Sequence, residues 1–338
     1  VNTKSFVPAA ALSLLIFAAA VPQAQEDCSG EITARVLQLL QSNTDGVVGL
    51  YLKEVGGPVL AACNERRIFE PASTIKVVHH LHAMLQVQNG SVVQGKVVTL
   101  DTEIEWFADY NTAISYSCPG DSGRRISPLR DVLAGMMKNS DNRHTQALRV
   151  FFGEENINAT AKAIGMNDTA LRHRIGCGGG RDGAVAKPNR LTLYDAGLLY
   201  EKVANGSLLN PDHRKDFYAL MPGKEYDSSG VWRNIQRIID EEAPTTMTTA
   251  RKNSFAHQTE TRYKGGSYDL CSPGCLQYRT MAGWAQIPFC EGEKIVLRQY
   301  VFGVFAVEAV SAQPAFLAVR SGAELLREQL RVALQSCA

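Results

Sequence analysis

The chain lacks an excess of charge of either sign: 35 Lys and Arg stand against 34 Asp and Glu, a net +1 over 338 residues. No global field therefore draws it to nucleic acid or to an anionic membrane. It also lacks an apolar run of the roughly 20 residues that a membrane span needs. The longest candidate, Ala9–Val21, follows Lys4 and precedes small residues at Ala18, Ala20 and Ala24. That pattern reads as a cleaved export leader over residues 1–25 rather than an anchor. Internal repeats and Pro-rich linkers are missing too, so nothing splits residues 26–338 into separate domains. Close Cys or His pairs are scarce. Among the cysteines, Cys271 and Cys275 have ligand-like spacing, but no second close pair accompanies them, so neither metal nor cofactor is expected.

What is present starts with eight cysteines, at 28, 63, 118, 177, 271, 275, 290 and 337. An even count in an exported chain suggests disulfides. Cys28 and Cys337 lie at the two ends, in segments expected to be neighbouring helices, and are expected to pair; Cys271 and Cys275 are expected to close a small loop.

Alternation over Gly46–Glu54 predicts a strand, with Pro58–Cys63 as its hairpin partner across Gly56-Gly57. Pro71 opens a helix that Asn89-Gly90 stops. Further helices are predicted from Ser127-Pro128 to about Lys138, from about Asn142 to Gly153, and from a Thr192 cap to Asn205-Gly206. Thr280–Ile287 and Gln299–Glu308 are β-branched and aromatic, hence strands, and Gln313 to about Gln335 reads as one long amphipathic helix. The fold class is α/β, an α+β sandwich. Its antiparallel sheet is built from both chain ends (about 26–70 and 245–338), flanked by helices, with an all-helical insert (about 71–244).

Three short motifs occur in order. In Ser73-Thr74-Ile75-Lys76, positions i and i+3 share a helix face. The Lys76 amine can therefore approach the Ser73 hydroxyl, a weak nucleophile that needs a neighbouring base. The helix start also offers unpaired N–H groups to an oxyanion. Alone, the pattern equally describes a solvated helix turn. Ser140-Asp141-Asn142 falls at a helix junction, where the same residues serve as caps. Lys264-Gly265-Gly266-Ser267 precedes the C-terminal strands and could be a simple turn. Lys252-Asn253-Ser254 is a rival for the third place.

Taken together, the three motifs resemble the penicillin-recognising serine enzymes, most closely the class A β-lactamases, whose set is Ser-x-x-Lys, Ser-Asp-Asn and Lys-Thr-Gly. The resemblance implies that Ser73 forms an acyl-enzyme and Lys76 assists proton transfer. It implies that Ser140 relays a proton to the leaving nitrogen, that Asn142 positions substrate and lysine, and that Lys264 attracts a carboxylate. The oxyanion hole would use the N–H of Ser73 and one from the strand after Lys264, with Gly266 and Ser267 among the substrate-binding residues. The implied partner is a small β-lactam or a cell-wall peptide, met by a monomer in the periplasm or outside the cell.

The pattern departs from the family twice. Gly265 lacks the usual hydroxyl, which Ser267 could replace. The loop expected to carry a deacylating glutamate, Leu171–Gly180, has no carboxylate, leaving Asp168, Asp182, His173 or Lys76 as the candidate base. The family's other activities, D,D-peptidase, esterase or a slowly deacylating penicillin-binding protein, therefore stay open. His79, His80 and His82 crowd one helix as core histidines or a metal site, and Trp106, Phe107 and Tyr110 are candidates for a cleft wall.

Overall fold

The computed structural model describes residues 28–108, 110–111, 118–119, 122–175, 188–225, 230–270 and 276–338. The expected leader, the Cys271–Cys275 loop, Cys177 and Asp182 lie outside the described residues.

Helix α1 (Glu31–Gln41) leads into strands β1 (Val47–Glu54) and β2 (Val59–Cys63). A 3₁₀ turn, Ala72–Ile75, runs into α2 (Lys76–Asn89). Next come the short strands β3 (Val92–Val93), β4 (Lys96–Val97), β5 (Glu103–Phe107), β6 (Tyr110–Asn111), β7 (Cys118–Pro119) and β8 (Arg124–Pro128). They pair as three two-stranded ribbons, so the insert is not all-helical as its sequence suggested. Helices α3 (Leu129–Lys138), α4 (Asn142–Phe152), α5 (Glu154–Ala163), α6 (Leu193–Ala204), α7 (Pro211–Ala219), α8 (Val231–Glu242) and α9 (Thr249–Gln258) follow. The chain then forms β9 (Glu260–Leu270), β10 (Leu276–Glu291), β11 (Lys294–Ala309), α10 (Leu317–Leu325) and α11 (Arg327–Ser336).

The main sheet is antiparallel, in the order β2-β1-β11-β10-β9. Successive strand residues point to opposite faces, and the two cores divide accordingly. Leu50, Leu52, Phe302 and Val304 face one core, with α8, α10 and α11; Tyr51, Val301 and Phe305 face the other, with α2 and α6. Burial on both faces explains why β10 and β11 read as near-continuous apolar runs. Helix α8 lies within the stretch assigned to the insert, yet its apolar stripe, Val231, Ile235, Ile238 and Ile239, belongs to the α10–α11 core.

Two further expectations fail. Cys28 bonds Cys63 and Cys337 bonds Cys290, with Cα separations of 4.6 and 5.0 Å. Cys63 ends β2 while Cys290 lies on β10, three strand spacings away. That is roughly 14 Å at about 4.8 Å per strand, beyond the ~7 Å that a disulfide spans. The single C-terminal helix is also two, because the Leu326 N–H turns back to Ala323 O and starts a new axis.

Candidate active site

Ser73 sits in the 3₁₀ turn, not yet in the α-helix. Ala72 before it takes φ +48°, a strained value for a residue with a Cβ. The turn is tied down from the sheet: Thr280 Oγ1 donates to Pro71 O at 2.8 Å and lies 2.9 Å from Thr74 Oγ1. Strand β9 passes so close that a Cβ on Gly266 would lie 2.6 Å from the Ser73 nitrogen and 2.7 Å from Thr280 Oγ1. Only glycine fits there. Gly265 is different, because a Cβ there would meet nothing nearer than 3.7 Å.

Lys76 begins α2 and is fully buried. Its Nζ donates to Ser140 O at 2.6 Å, Ser140 Oγ at 3.2 Å and Asn142 Oδ1 at 2.6 Å. Three acceptors match the three protons of an ammonium. Among the described residues no hydrogen bond joins Ser73 Oγ to Lys76. Ser140 occupies a left-handed turn, φ +56°, between α3 and α4. Asp141 caps α4 by accepting from the Arg143 N–H at 2.8 Å, which points Asn142 at the lysine. Burial would raise the Asp141 carboxyl, but its bonds from Arg143 outweigh that and keep it below the usual range.

Lys264 lies inside β9, not ahead of the strands as the sequence suggested. Its Nζ donates to Ser140 Oγ at 3.0 Å and to Gly265 O at 2.7 Å. The Ser140 hydroxyl thus stands between two buried amines. Burial and then the charge of Lys264 push Lys76 well below the ordinary lysine value, and burial pulls Lys264 down to about 7. Lys252, the rival, is on α9, pairs with Asp240 at 2.8 Å and does not line the cavity that holds Ser73.

Ser73, Ser140, Asn142, Lys264, Gly266 and Ser267 line one cavity of about 450 Å³ along β9, the outer strand of the sheet. Arg279 joins them and was missed. Its signal was an arginine in a strand otherwise buried on both faces. It stands opposite Ser267 in the β9–β10 register and bonds Asp269 at 2.6 Å, with Nε buried and unpartnered. The lining among the described residues includes no Asp or Glu.

The candidate bases sit elsewhere. The exposed Asp168 offers its backbone N–H to Asp195 Oδ2, at the start of α6, at 3.1 Å. The His173 N–H donates to Asn189 Oδ1 at 3.2 Å. Neither lines the cavity. A carboxylate that sequence reasoning overlooked, Glu70, lies three residues before Ser73. The backbone N–H groups of Ala72 and Asn189 bond it, yet burial pushes it up to about 8, and its Oε2 has no partner.

The remaining candidates are structural. His79, His80 and His82 are buried and kept neutral by burial. His80 Nε2 contacts Phe217 O at 2.9 Å and His82 Nδ1 contacts Thr160 Oγ1 at 2.7 Å. Among the described residues no cluster could hold a metal. Trp106 packs edge-on against His144 at 4.8 Å, and with Phe107 lines a separate hollow of about 280 Å³ beside α4. The side chain of Tyr110 lies outside the described residues.

A fold of this kind is shared with solved structures. A β-lactamase from Chitinophaga pinensis superposes with TM-score 0.63 at 17% identity, covering 89% of this chain and 98% of that one. A class A β-lactamase from Bacteroides cellulosilyticus gives 0.63 at 17%, over 89% and 97%. A variant of PBP-A, as the acyl-enzyme with penicillin G, gives 0.57 at 17%, over 90% and 95%. No curated protein matches the sequence. The architecture is thus that of the β-lactamases and their penicillin-binding relatives. Residues 31–257 match the profile of the beta-lactamase enzyme family, and the chain belongs to that family.

Proposed function

We propose that the chain hydrolyses β-lactam amides through an acyl-enzyme on Ser73. The observation that carries this reading is the pair of buried lysines sharing the Ser140 hydroxyl, in the cavity that Ser73 opens into. Burial and the charge of Lys264 make the Lys76 ammonium easier to deprotonate, and the amine lone pair so released can turn one helical turn back to Ser73. It takes the Ser73 proton as Oγ adds to the lactam carbonyl. The oxyanion meets the N–H groups of Ser73 and Ser267. As the C–N bond breaks, Ser140 Oγ gives its proton to nitrogen and regains one from the lysine ammonium. Lys264, in its charged form, and Arg279 receive the substrate carboxylate. Two disulfides support work in an oxidising compartment, to which the expected leader would deliver the chain.

Hydrolysis of the ester needs a base within hydrogen-bond reach of a water. With no carboxylate in the described lining, Lys76 is the base best supported, and deacylation is slow. The same observation favours a second reading, a penicillin-binding protein or D,D-peptidase that holds its acyl group. Stopped-flow turnover of a chromogenic cephalosporin tests this: a burst of about one equivalent should precede a slower steady rate. Steady turnover without a burst, at about 1–10³ per second, would contradict slow deacylation. A mutant that keeps the burst and loses the steady phase identifies the base; His173→Ala and Asp168→Asn should keep both.

A further inference from the structure

The cavity wraps around β9. Residues alternate faces along the strand, so Lys264 and Gly266 share the Ser73 side with Thr280. Gly265, Ser267 and Arg279 lie on the other side, which α10 covers. Met281, the register partner of Gly265, packs there against Gly322 of α10. This second half of the cavity differs in character from the reactive half. Its cation is Arg279, and its wall is apolar: Ala315, Phe316, Ala318 and Val319.

Two features stand out. Phe316, at the cap of α10, lines the cavity and is 56% exposed. Gly265, where the family motif has threonine, leaves space that a side chain could fill without contact closer than 3.7 Å. A solvated ring beside unfilled space and a buried guanidinium suits a ligand that is anionic and apolar at adjoining positions. The anion meets Arg279 and Lys264, and the apolar group covers Phe316 where Gly265 gives it room.

On the acyl-enzyme reading above, we propose that Phe316 and Gly265 form a subsite for a bulky apolar substituent next to the substrate's carboxylate. Phe316 sets preference at this subsite and takes no part in bond making. Among β-lactams, the class it selects is cephalosporins with an aromatic group on the ring carbon next to the carboxylate-bearing one.

The test measures second-order acylation, read as adduct mass against time, so that it works whether or not the adduct hydrolyses. Two cephalosporins with the same acyl side chain are compared, one carrying a phenyl-bearing group at that carbon and one a methyl. Intrinsic ring reactivity differs between them, so the readout is how the ratio of their rates changes on substitution. Phe316→Ala should lower the phenyl-to-methyl ratio about ten-fold, the lower end of what one apolar group commands in a pocket. Gly265→Thr should lower it as well, by filling the space. A ratio unchanged in Phe316→Ala, with both adducts still forming, overturns the subsite and leaves the acyl-enzyme reading intact. Failure of the phenyl compound alone to label the unmodified protein overturns the subsite, and failure of both compounds overturns the acyl-enzyme reading with it.

Discussion

Replacing Glu70 by glutamine should stabilise the protein at alkaline pH and not at acid pH. The folded carboxyl titrates at about 8, against 4.5 for an unstrained glutamate, because burial beside the nucleophile turn disfavours its charge. Between those values the folded state holds a proton that the unfolded chain has released. Stability must therefore fall as pH rises through this window. Each pH unit is worth up to ~1.4 kcal/mol, so the ceiling over the window is about 5 kcal/mol, and solvent relaxation brings the expected cost to about 2–5 kcal/mol. Glutamine keeps one carbonyl to accept from Ala72 or Asn189 and cannot ionise. Urea or thermal unfolding of both proteins at pH 5, 6, 7 and 8 gives the difference directly. The variant should be equal or slightly weaker at pH 5 and more stable by about 2–5 kcal/mol at pH 8, several degrees in Tm. Other titrating groups act on both proteins and cancel. Parallel curves from pH 5 to 8 would refute the claim that the buried Glu70 is neutral at neutral pH.

Two further outcomes follow from β9. Gly266→Ala puts a methyl 2.6 Å from the Ser73 nitrogen, so β-lactam acylation should fall by about 10² or more; rates within five-fold of the parent would show that the strand can yield. Lys264 titrates at about 7 from the lysine side, so its attraction for an anionic substrate is complete below that pH and lost above it. Acylation at low substrate should decline through pH 7 to 8 for a carboxylate-bearing β-lactam and not for its methyl ester; matching profiles would remove Lys264 from carboxylate binding.

Much of this architecture was legible in the chain because its signals are local. The Gly90 stop, the Thr192 cap and the junction at Asp141 all lie where the pattern put them. So do β1 and β2, since a two-residue glycine turn fixes a hairpin. The Ser73, Ser140 and Lys264 motifs could be found because each is contiguous, and the fold brings them to one hydroxyl. What stayed hidden depends on contacts between distant segments. The disulfide partners follow from strand order, which no spacing encodes. Lys264 looked like a turn residue because Gly265-Gly266 imitates one, whereas Gly266 lets an edge strand approach Ser73. Arg279 and Glu70 carry no motif, and they matter because of what the sheet and the 188–191 segment place around them. Phe316 falls inside the helix expected from Gln313, whereas the observed helix begins at Leu317 and leaves Phe316 as its cap, lining the cavity.

The most direct test of the account is the mass of the protein after exposure to penicillin G or a cephalosporin, followed by peptide mapping. The unmodified chain should gain one intact β-lactam mass on the peptide holding Ser73, within seconds at neutral pH. Ser73→Ala should gain none, with its circular dichroism unchanged. Lys76→Ala should gain it about 10²–10⁴ times more slowly, the range for loss of a positioned proton acceptor. An adduct on Ser73→Ala, or one mapped to another residue of the unmodified chain, would contradict the assignment of the nucleophile and the mechanism built upon it.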